Sequence, residues 1–175
     1  GDDPLDGGLG DDTLLGGSGV DTIIASDGAD VTDGGTGLDT IDFSGFPAGQ
    51  SIDVTLDGAN AATVAIAGGT DQTVSNVENV IGTAEADTIT GDAQQNHLQT
   101  LAGNDVIGAS DGADLLDGGA GIDTVDYSGL VGVSRIDVSL TGSNPATVQV
   151  TGGANDQILN IENVVGTAGN DVLVG

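Results

Sequence analysis

Acidic residues recur at a fixed interval along this chain. Two series lie at steps of nine residues, namely Asp3, Asp12, Asp21, Asp30 and Asp39, and then Glu78, Asp87, Asn96 (a polar substitute), Asp105, Asp114 and Asp123. Glycine-rich stretches precede many of these positions, as in GGSGVD at residues 16–21. Glycine adopts positive φ readily, so such a loop is able to aim several carbonyl oxygens at one point beside a carboxylate. The residue types and their spacing indicate coordination of cations by oxygen.

Composition limits the classes of partner. The 175 residues include 28 acidic side chains and one basic side chain, Arg135, which gives a net charge of −27. A chain with this charge is not expected to bind nucleic acid or an anionic membrane surface, and its natural partner is a cation. Cysteine is absent, which excludes disulfides and thiolate zinc sites. No apolar run approaches the ~20 residues of a membrane span.

Short strands are the elements that must position these acids. Two residues after each acid stands an apolar residue or threonine, again at steps of nine: Leu5, Leu14, Ile23, Thr32 and Ile41, then Val80, Ile89, Leu98, Ile107, Leu116 and Val125. A helix would repeat its apolar positions about every 3.6 residues, and no such period persists. A short strand followed by a glycine-rich turn, repeated many times, predicts a solenoid whose turns stack on one another.

A longer repeat overlies the short one. Residues 27–45 return at residues 111–129, identical at thirteen of nineteen positions, and residues 76–91 return at residues 160–175. Both pairs share the same offset, so we interpret the chain as a tandem of an 84-residue unit.

Each unit also contains a segment that departs from the nine-residue pattern. Residues 51–56 and 62–67 alternate apolar and polar side chains, as do their copies at 135–140 and 146–151. Such alternation is typical of half-buried strands, and we expect inserted strand pairs. The predicted organisation is a first repeat block at 1–45, a strand pair at 46–75, a second block at 76–129, a second strand pair at 130–159, and the start of a third block at 160–175. The ends fall inside a repeat, which indicates a fragment of a longer array.

The repeats resemble those of a known family. GGLGDDTLL (7–15), GGSGVDTII (16–24), GGTGLDTID (34–42) and GGAGIDTVD (118–126) match G-G-x-G-x-D-x-U-x, where U is large and apolar. This pattern is the calcium-binding nonapeptide of RTX (repeats-in-toxin) proteins. The resemblance implies an all-β fold, a right-handed parallel β-roll with two nonapeptides per turn, and several Ca²⁺ ions bound between successive turns on the same edge.

The resemblance also implies particular ligands. The second and fourth loop residues and the aspartate of one turn would face the first and third loop residues and the aspartate of the next turn. This carry-over gives three sites: Gly17, Gly19 and Asp21 with Gly34, Thr36 and Asp39; Gly8, Gly10 and Asp12 with Ala25, Asp27 and Asp30; and Leu101, Gly103 and Asp105 with Gly118, Ala120 and Asp123. Asp3 with Asp21 and Asp87 with Asp105 are further pairs on the same edges, and Asp111 and Asp114 are further candidate ligands. Asn96 stands where the motif requires aspartate, so sites that depend on it are expected to be weak or empty.

No residue pattern indicates catalysis. The single histidine, His97, is interpreted as an outward strand residue, and the chain contains no G-x-S-x-G elbow. We therefore expect no enzyme. The favoured function is a calcium-binding structural module of a secreted bacterial RTX protein. The alternative is an adhesin surface that binds ice or glycan through a flat β face, although Thr88 and Thr90 are the only threonines that flank an inward residue on both sides.

Localisation is expected to follow from the ion. Acidic loops should stay unpaired at submicromolar cytosolic calcium, and millimolar calcium outside the cell would fold the chain. The resemblance adds type I secretion and attachment to the remainder of a larger secreted polypeptide. We expect a monomer.

Overall fold

The computed structural model describes residues 1–141 and 144–175 and contains only strands, turns and irregular loops in these ranges. In chain order the strands are β1 (Pro4–Asp6), β2 (Thr13–Leu15), β3 (Thr22–Ile24), β4 (Val31–Asp33), β5 (Thr40–Asp42), β6 (Ile52–Thr55), β7 (Ala62–Ile66), β8 (Gln72–Ser75), β9 (Asn79–Ile81), β10 (Thr88–Thr90), β11 (His97–Gln99), β12 (Ala102–Gly103), β13 (Val106–Gly108), β14 (Leu115–Asp117), β15 (Ala120–Gly121), β16 (Thr124–Asp126), β17 (Arg135–Ser139), β18 (Ala146–Thr151), β19 (Asp156–Leu159), β20 (Asn163–Val165) and β21 (Val172–Val174). The described residues include no helix long and apolar enough to cross a membrane.

Successive nonapeptide strands alternate between two sheets. Sheet 1 has the order β1-β3-β5-β9-β11-β14-β19-β18-β17-β21, and sheet 2 has the order β2-β4-β8-β7-β6-β10-β13-β16-β20. Nonapeptide strands that neighbour each other in a sheet are parallel, and within an uninterrupted block they are offset by two nonapeptides, as where Leu5, Ile23 and Ile41 lie side by side. The chain is thus an all-β parallel β-roll. β12 and β15 pair separately as a short two-stranded ladder between loops.

The core lies between the two sheets. Most nonapeptide strands are three residues long, and only the middle residue points inward, since side chains alternate along a strand. Ile23 and Leu98 on sheet 1 and Ile89 and Ile107 on sheet 2 are fully buried. Pro4, which lacks an amide donor, stands at the edge of sheet 1, where no partner requires that donor.

The inserted segments lie within the sheets. The predicted pairs are present, because β6 pairs antiparallel with β7 and β17 pairs antiparallel with β18. A third strand that the sequence analysis did not predict, β8 or β19, returns antiparallel and joins the preceding block. The first inward-facing residue of this strand is polar, Gln72 in β8 and Asp156 in β19. The strand therefore lacks the alternation of apolar and polar residues by which the other inserted strands were predicted. Residues 142 and 143 of the second inserted segment lie outside the described residues.

The two inserted segments occupy opposite sheets. β6, β7 and β8 lie in sheet 2 between β4 and β10, while β5 and β9 are adjacent in sheet 1. β17, β18 and β19 lie in sheet 1 between β14 and β21, while β16 and β20 are adjacent in sheet 2. The loops that precede the strands therefore keep stacking across both inserted segments on the uninterrupted sheet.

Candidate metal centre

The recurring acids form two rows, one along each edge of the roll. Row 1 precedes the strands of sheet 1 and contains Asp3, Asp21, Asp39, Glu78, Asn96, Asp114 and Asp156. Row 2 precedes the strands of sheet 2 and contains Asp12 and Asp30, then Asp87, Asp105, Asp123 and Glu162. The stacking of turns places them in this order, because each acid stands just before a strand, or in the case of Asp156 at its first residue, and these strands are stacked in the order of the two sheets.

A repeated hydrogen bond links neighbours within a row. The backbone N–H of one acid donates to one carboxylate oxygen of the acid in the next turn: Asp3 to Asp21 at 2.8 Å, Asp21 to Asp39 at 2.8 Å, and Asp105 to Asp123 at 2.9 Å. The same bond spans the inserted segments, where Asp39 donates to Glu78 at 2.9 Å. Each carboxylate that accepts this bond has one oxygen committed to the preceding turn.

The second carboxylate oxygen divides the rows into two classes. Among the described residues, five row carboxylates have a buried Oδ2 that accepts no hydrogen bond, and we call these open: Asp12, Asp21, Asp39, Asp105 and Asp123. A buried acceptor without a donor is costly, of the order of 1–3 kcal/mol for a neutral group and more for a charged one. These oxygens therefore require a positively charged or proton-bearing partner.

Other row carboxylates are closed by protein donors. Asp87 Oδ2 accepts the N–H of Thr83 at 2.7 Å, and Asp114 Oδ2 accepts the hydroxyl of Ser110 at 2.9 Å. Asp156 Oδ2 accepts the hydroxyl of Tyr127 at 3.0 Å. These oxygens have partners without any ion.

Burial raises the pKa of several row carboxyl groups. It raises the pKa of Asp105 to about 6, and repulsion from Asp123 and Asp87 adds to the rise, while the N–H donated by Asp87 opposes it. Burial likewise raises the pKa of Asp39 and of Asp123, with added repulsion from Asp21 on the first and from Glu162 on the second. The ion-free fold thus disfavours the charged form of these acids, and a nearby cation would reverse that preference.

The glycine-rich loops stack as closely as their strands. In the loops before Asp21 and Asp39, the N–H of Gly19 donates to the carbonyl of Thr36 at 3.0 Å, and the N–H of Thr36 donates to the carbonyl of Gly17 at 2.9 Å. A Cβ on Gly37, whose φ is 151°, would overlap the carbonyl oxygen of Gly19. Residue 37 must therefore lack a side chain for these two turns to approach.

The loop of the third predicted site has the same arrangement with a different residue. Leu101 occupies the second loop position with φ 70°, in the region where Gly17 has φ 89°. Its carbonyl accepts the N–H of Ala120 at 2.7 Å. The loop conformation is thus retained without glycine at this position.

The structure brings together the aspartates of all three predicted sites. Asp21 with Asp39, Asp12 with Asp30, and Asp105 with Asp123 are row neighbours, and Gly10 donates to the carbonyl of Asp27 at 3.2 Å. The predicted loop residues Gly8, Gly34, Gly103 and Gly118 lie in the loops that precede these acids. Asp3 heads row 1 with a side chain that is 64% exposed, and Asp111 is exposed beside the Asn96 repeat.

Asn96 interrupts row 1. Its carboxamide donates to the carbonyl of Glu78 at 2.9 Å and lies within 3.3 Å of a carboxylate oxygen of Asp92, while its oxygen accepts the N–H of Asp92. The amide turns toward its own loop and does not accept the N–H of the preceding row member, as the aspartates do.

Sequence reasoning missed three members of this network. Asp156 lies in the inserted segment, outside any nonapeptide, and no motif marks it. Glu162 is the copy of Glu78 in the second long unit, so the longer repeat carried the signal for it. Asp171 is the copy of Asp87, and its carboxylate accepts the N–H of Ile136 at 2.8 Å, as Asp87 accepts the N–H of Ile52.

The donor set suits a hard cation. Over residues 1–141 and 144–175, no three acidic or histidine side chains cluster so as to hold a metal by themselves. An ion would need a pair of row carboxylates together with backbone carbonyls, an all-oxygen set of the kind that Ca²⁺ accepts at six to eight ligands. Two sheets of short parallel strands with acidic rows along their loops define a calcium-binding β-roll.

The family model for the RTX calcium-binding nonapeptide repeat matches the chain four times, at residues 1–41, 75–107, 90–125 and 160–175. These matches cover more than half of the chain, and the chain therefore belongs to this family, whose repeats bind Ca²⁺. Among solved structures it is similar to the extracellular lipase LipA from Serratia marcescens, at 14% identity and a TM-score of 0.21. That comparison covers 86% of this chain and 36% of the lipase chain.

Proposed function

We propose that this chain is a calcium-dependent structural module of a secreted protein, and that it folds when Ca²⁺ binds outside the cell. The observation that carries the proposal is the set of five open carboxylates, each with a buried Oδ2 that has no donor. All five belong to the ligand pairs that the nonapeptide motif assigns. Asp21 with Asp39 and Asp105 with Asp123 would each hold an ion with both carboxylates open.

Loop carbonyls would complete each site. Gly17, Gly19, Gly34 and Thr36 would serve the Asp21–Asp39 pair, and Leu101, Gly103, Gly118 and Ala120 would serve the Asp105–Asp123 pair. Asp12 with Asp30 would form a third site with Gly8, Gly10, Ala25 and Asp27. When bound, Ca²⁺ supplies the positive charge that the rows lack.

Charge repulsion explains why folding would require the ion. Two carboxylates about 5 Å apart repel by about 1 kcal/mol in water and by several times that in a drier site. Arg135, the one basic side chain, is bonded to Asp137 on β17 and lies in neither row. A chain of net charge −27 whose nonapeptide strands each bury one core side chain would not fold against this repulsion.

Secretion is the setting that fits such a module. RTX repeats are typical of secreted bacterial proteins, and calcium is millimolar outside the cell but submicromolar within it. A chain that stays unfolded at cytosolic calcium would be suited to export and would fold afterwards. The activity of the whole protein would reside in other parts of a larger polypeptide, with this segment as a structural repeat and not an enzyme.

Circular dichroism tests the proposal. The chain in EGTA should give a mostly coil spectrum, change cooperatively to a β spectrum when millimolar calcium is added, and revert with excess chelator. Magnesium at the same concentration is the control, and it should not substitute, because it demands tighter octahedral geometry and retains its waters. A stable β spectrum in EGTA that calcium leaves unchanged would refute calcium-dependent folding.

A further inference from the structure

The first part of row 2, formed by Asp12 and Asp30, is followed at the first inserted segment by a side-chain amide. Gln72, the first residue of β8, is 2% exposed and points into the roll at the place where the next acid of the row would stand. Its Nε2 donates to the carbonyl of Ser26 at 2.5 Å and to Oδ2 of Asp30 at 3.3 Å. The Ser26 hydroxyl is a further donor to this oxygen at 3.4 Å.

These acceptors are groups that the nonapeptide pattern assigns to a cation. Ser26 is the second residue of its loop and Asp30 is the aspartate of the same repeat. In the neighbouring repeats, the corresponding groups are the carbonyl of Gly17 with Asp21 and the carbonyl of Gly8 with Asp12. Asp12 and Asp21 are open, whereas Asp30 is closed on the side that faces β8.

The equivalent position of the second inserted segment has the opposite chemistry. Asp156, which is the copy of Gln72 in the second long unit, accepts the N–H of Asp114 at 3.0 Å through Oδ1. Its Oδ2 accepts the hydroxyl of Tyr127, and the corresponding residue of the first copy is Phe43, which has no hydroxyl. The backbone at this position therefore accommodates either a donor amide or an acceptor carboxylate.

We propose that the Gln72 amide takes the place of a calcium ion next to Asp30 in row 2. The junction between the first block and the inserted segment is then joined by hydrogen bonds and binds no metal. The inference rests on the proposed function, since it assumes that the open carboxylates bind calcium. The identity of residue 72 then determines how many ions the row holds. A carboxylate at this position would restore a pair with Asp30, whereas the amide satisfies Asp30 without a charge.

The test is a count of bound ions. Native mass spectrometry and calorimetric calcium titration would be applied to the whole chain, to Gln72→Asp, and to Thr73→Asp as a charge-matched control. Thr73 is the next residue of β8 and faces outward, so Thr73→Asp adds the same charge away from the row. Gln72→Asp should bind one ion more than the wild type, and Thr73→Asp should bind the same number. An unchanged count in a folded Gln72→Asp protein would overturn the inference.

A second variant covers the case in which Gln72→Asp does not fold. Gln72→Ala removes both hydrogen bonds and adds no ligand, so it should keep the wild-type ion count. Its melting midpoint at saturating calcium should be lower than that of Thr73→Ala by at least about 2 °C. Equal midpoints would overturn the inference. A wild-type chain that binds no calcium would instead refute the proposed function, so the two failures are distinguishable.

Discussion

Asp21 is the row member whose replacement should most reduce calcium binding. Its side chain is fully buried, its Oδ1 accepts the N–H of Asp3, and its own N–H donates to Asp39, so it connects three turns of row 1. Asp21→Asn keeps the shape and the accepting oxygen, but it replaces the open Oδ2 with an uncharged NH₂ group. The substitution therefore removes the negative charge with little change in packing.

The expected loss follows from linkage. A ligand at 100 times its dissociation constant stabilises the fold by about 2.7 kcal/mol per site. Asp21 is paired with Asp3 on one side and with Asp39 on the other, so Asp21→Asn should weaken two sites and remove up to about 5 kcal/mol of calcium-dependent stability. That is comparable to the whole free energy of unfolding of many domains, about 5–15 kcal/mol.

Two control variants separate this effect from others. Asp53→Asn removes the same charge from an exposed outward position of β6, and Asn96→Ala alters a row position whose amide is already bonded to protein groups. Calorimetric titration would give the number of ions, and urea unfolding at millimolar calcium would give the stability. Asp21→Asn should lose ions, and both controls should keep them. Equal losses from Asp21→Asn and Asn96→Ala would contradict the assigned rows.

Three further predictions concern the rows and their supports. Burial raises the pKa of Asp105 to about 6, so protonation of this carboxyl stabilises the ion-free fold. This contribution is complete below the unfolded pKa near 4 and is lost as the pH rises through about 6. Circular dichroism without calcium should therefore show more β structure at about pH 5 than at about pH 7.5, and the reverse order would contradict the assigned shift. Gly37→Ala should weaken calcium binding and lower the melting midpoint, since its Cβ would overlap the preceding turn. Gly45→Ala, with open space around it, should do neither, and equal effects in titration and melting would argue against close loop stacking. Tyr127→Phe should lower the free energy of unfolding in urea by about 1–3 kcal/mol, because it leaves Asp156 without its hydroxyl donor. The double variant with Asp156→Gln should recover part of that loss, and no recovery would indicate that the two side chains are not coupled.

The regular part of the fold could be predicted because one rule generates it. The inward residue at every ninth position, such as Ile23 or Ile107, and the acid two residues before it recur through both blocks. Period and chemistry therefore indicated strands, stacking and edge-bound cations together. The ligand pairs followed only through the resemblance to a known motif, because spacing alone does not say which carbonyls face an ion.

Other features could not be predicted because they depend on contacts between distant residues. β8 was missed because the polar Gln72 occupies an inward position, and its burial is compensated by Ser26 and Asp30, which are far away in the sequence. The difference between open and closed carboxylates likewise depends on neighbours. Asp105 and Asp114 both match the pattern, yet Oδ2 of Asp114 accepts the Ser110 hydroxyl, whereas Oδ2 of Asp105 has no donor.

The placement of the two inserted segments in opposite sheets is a matter of parity. Six nonapeptide strands lie between the two inserted segments, namely β9, β10, β11, β13, β14 and β16. Each inserted segment itself occupies the position of one nonapeptide strand in the alternation between sheets. The number of strand positions from one inserted segment to the next is therefore seven. Because successive positions alternate between the sheets, an odd number places each new segment in the other sheet. Each segment adds two strands, or about 10 Å of width, to its own sheet. Two long units therefore widen both sheets equally. Removal of a single nonapeptide between the segments would place both inserted segments in the same sheet, and the roll would then have to curve.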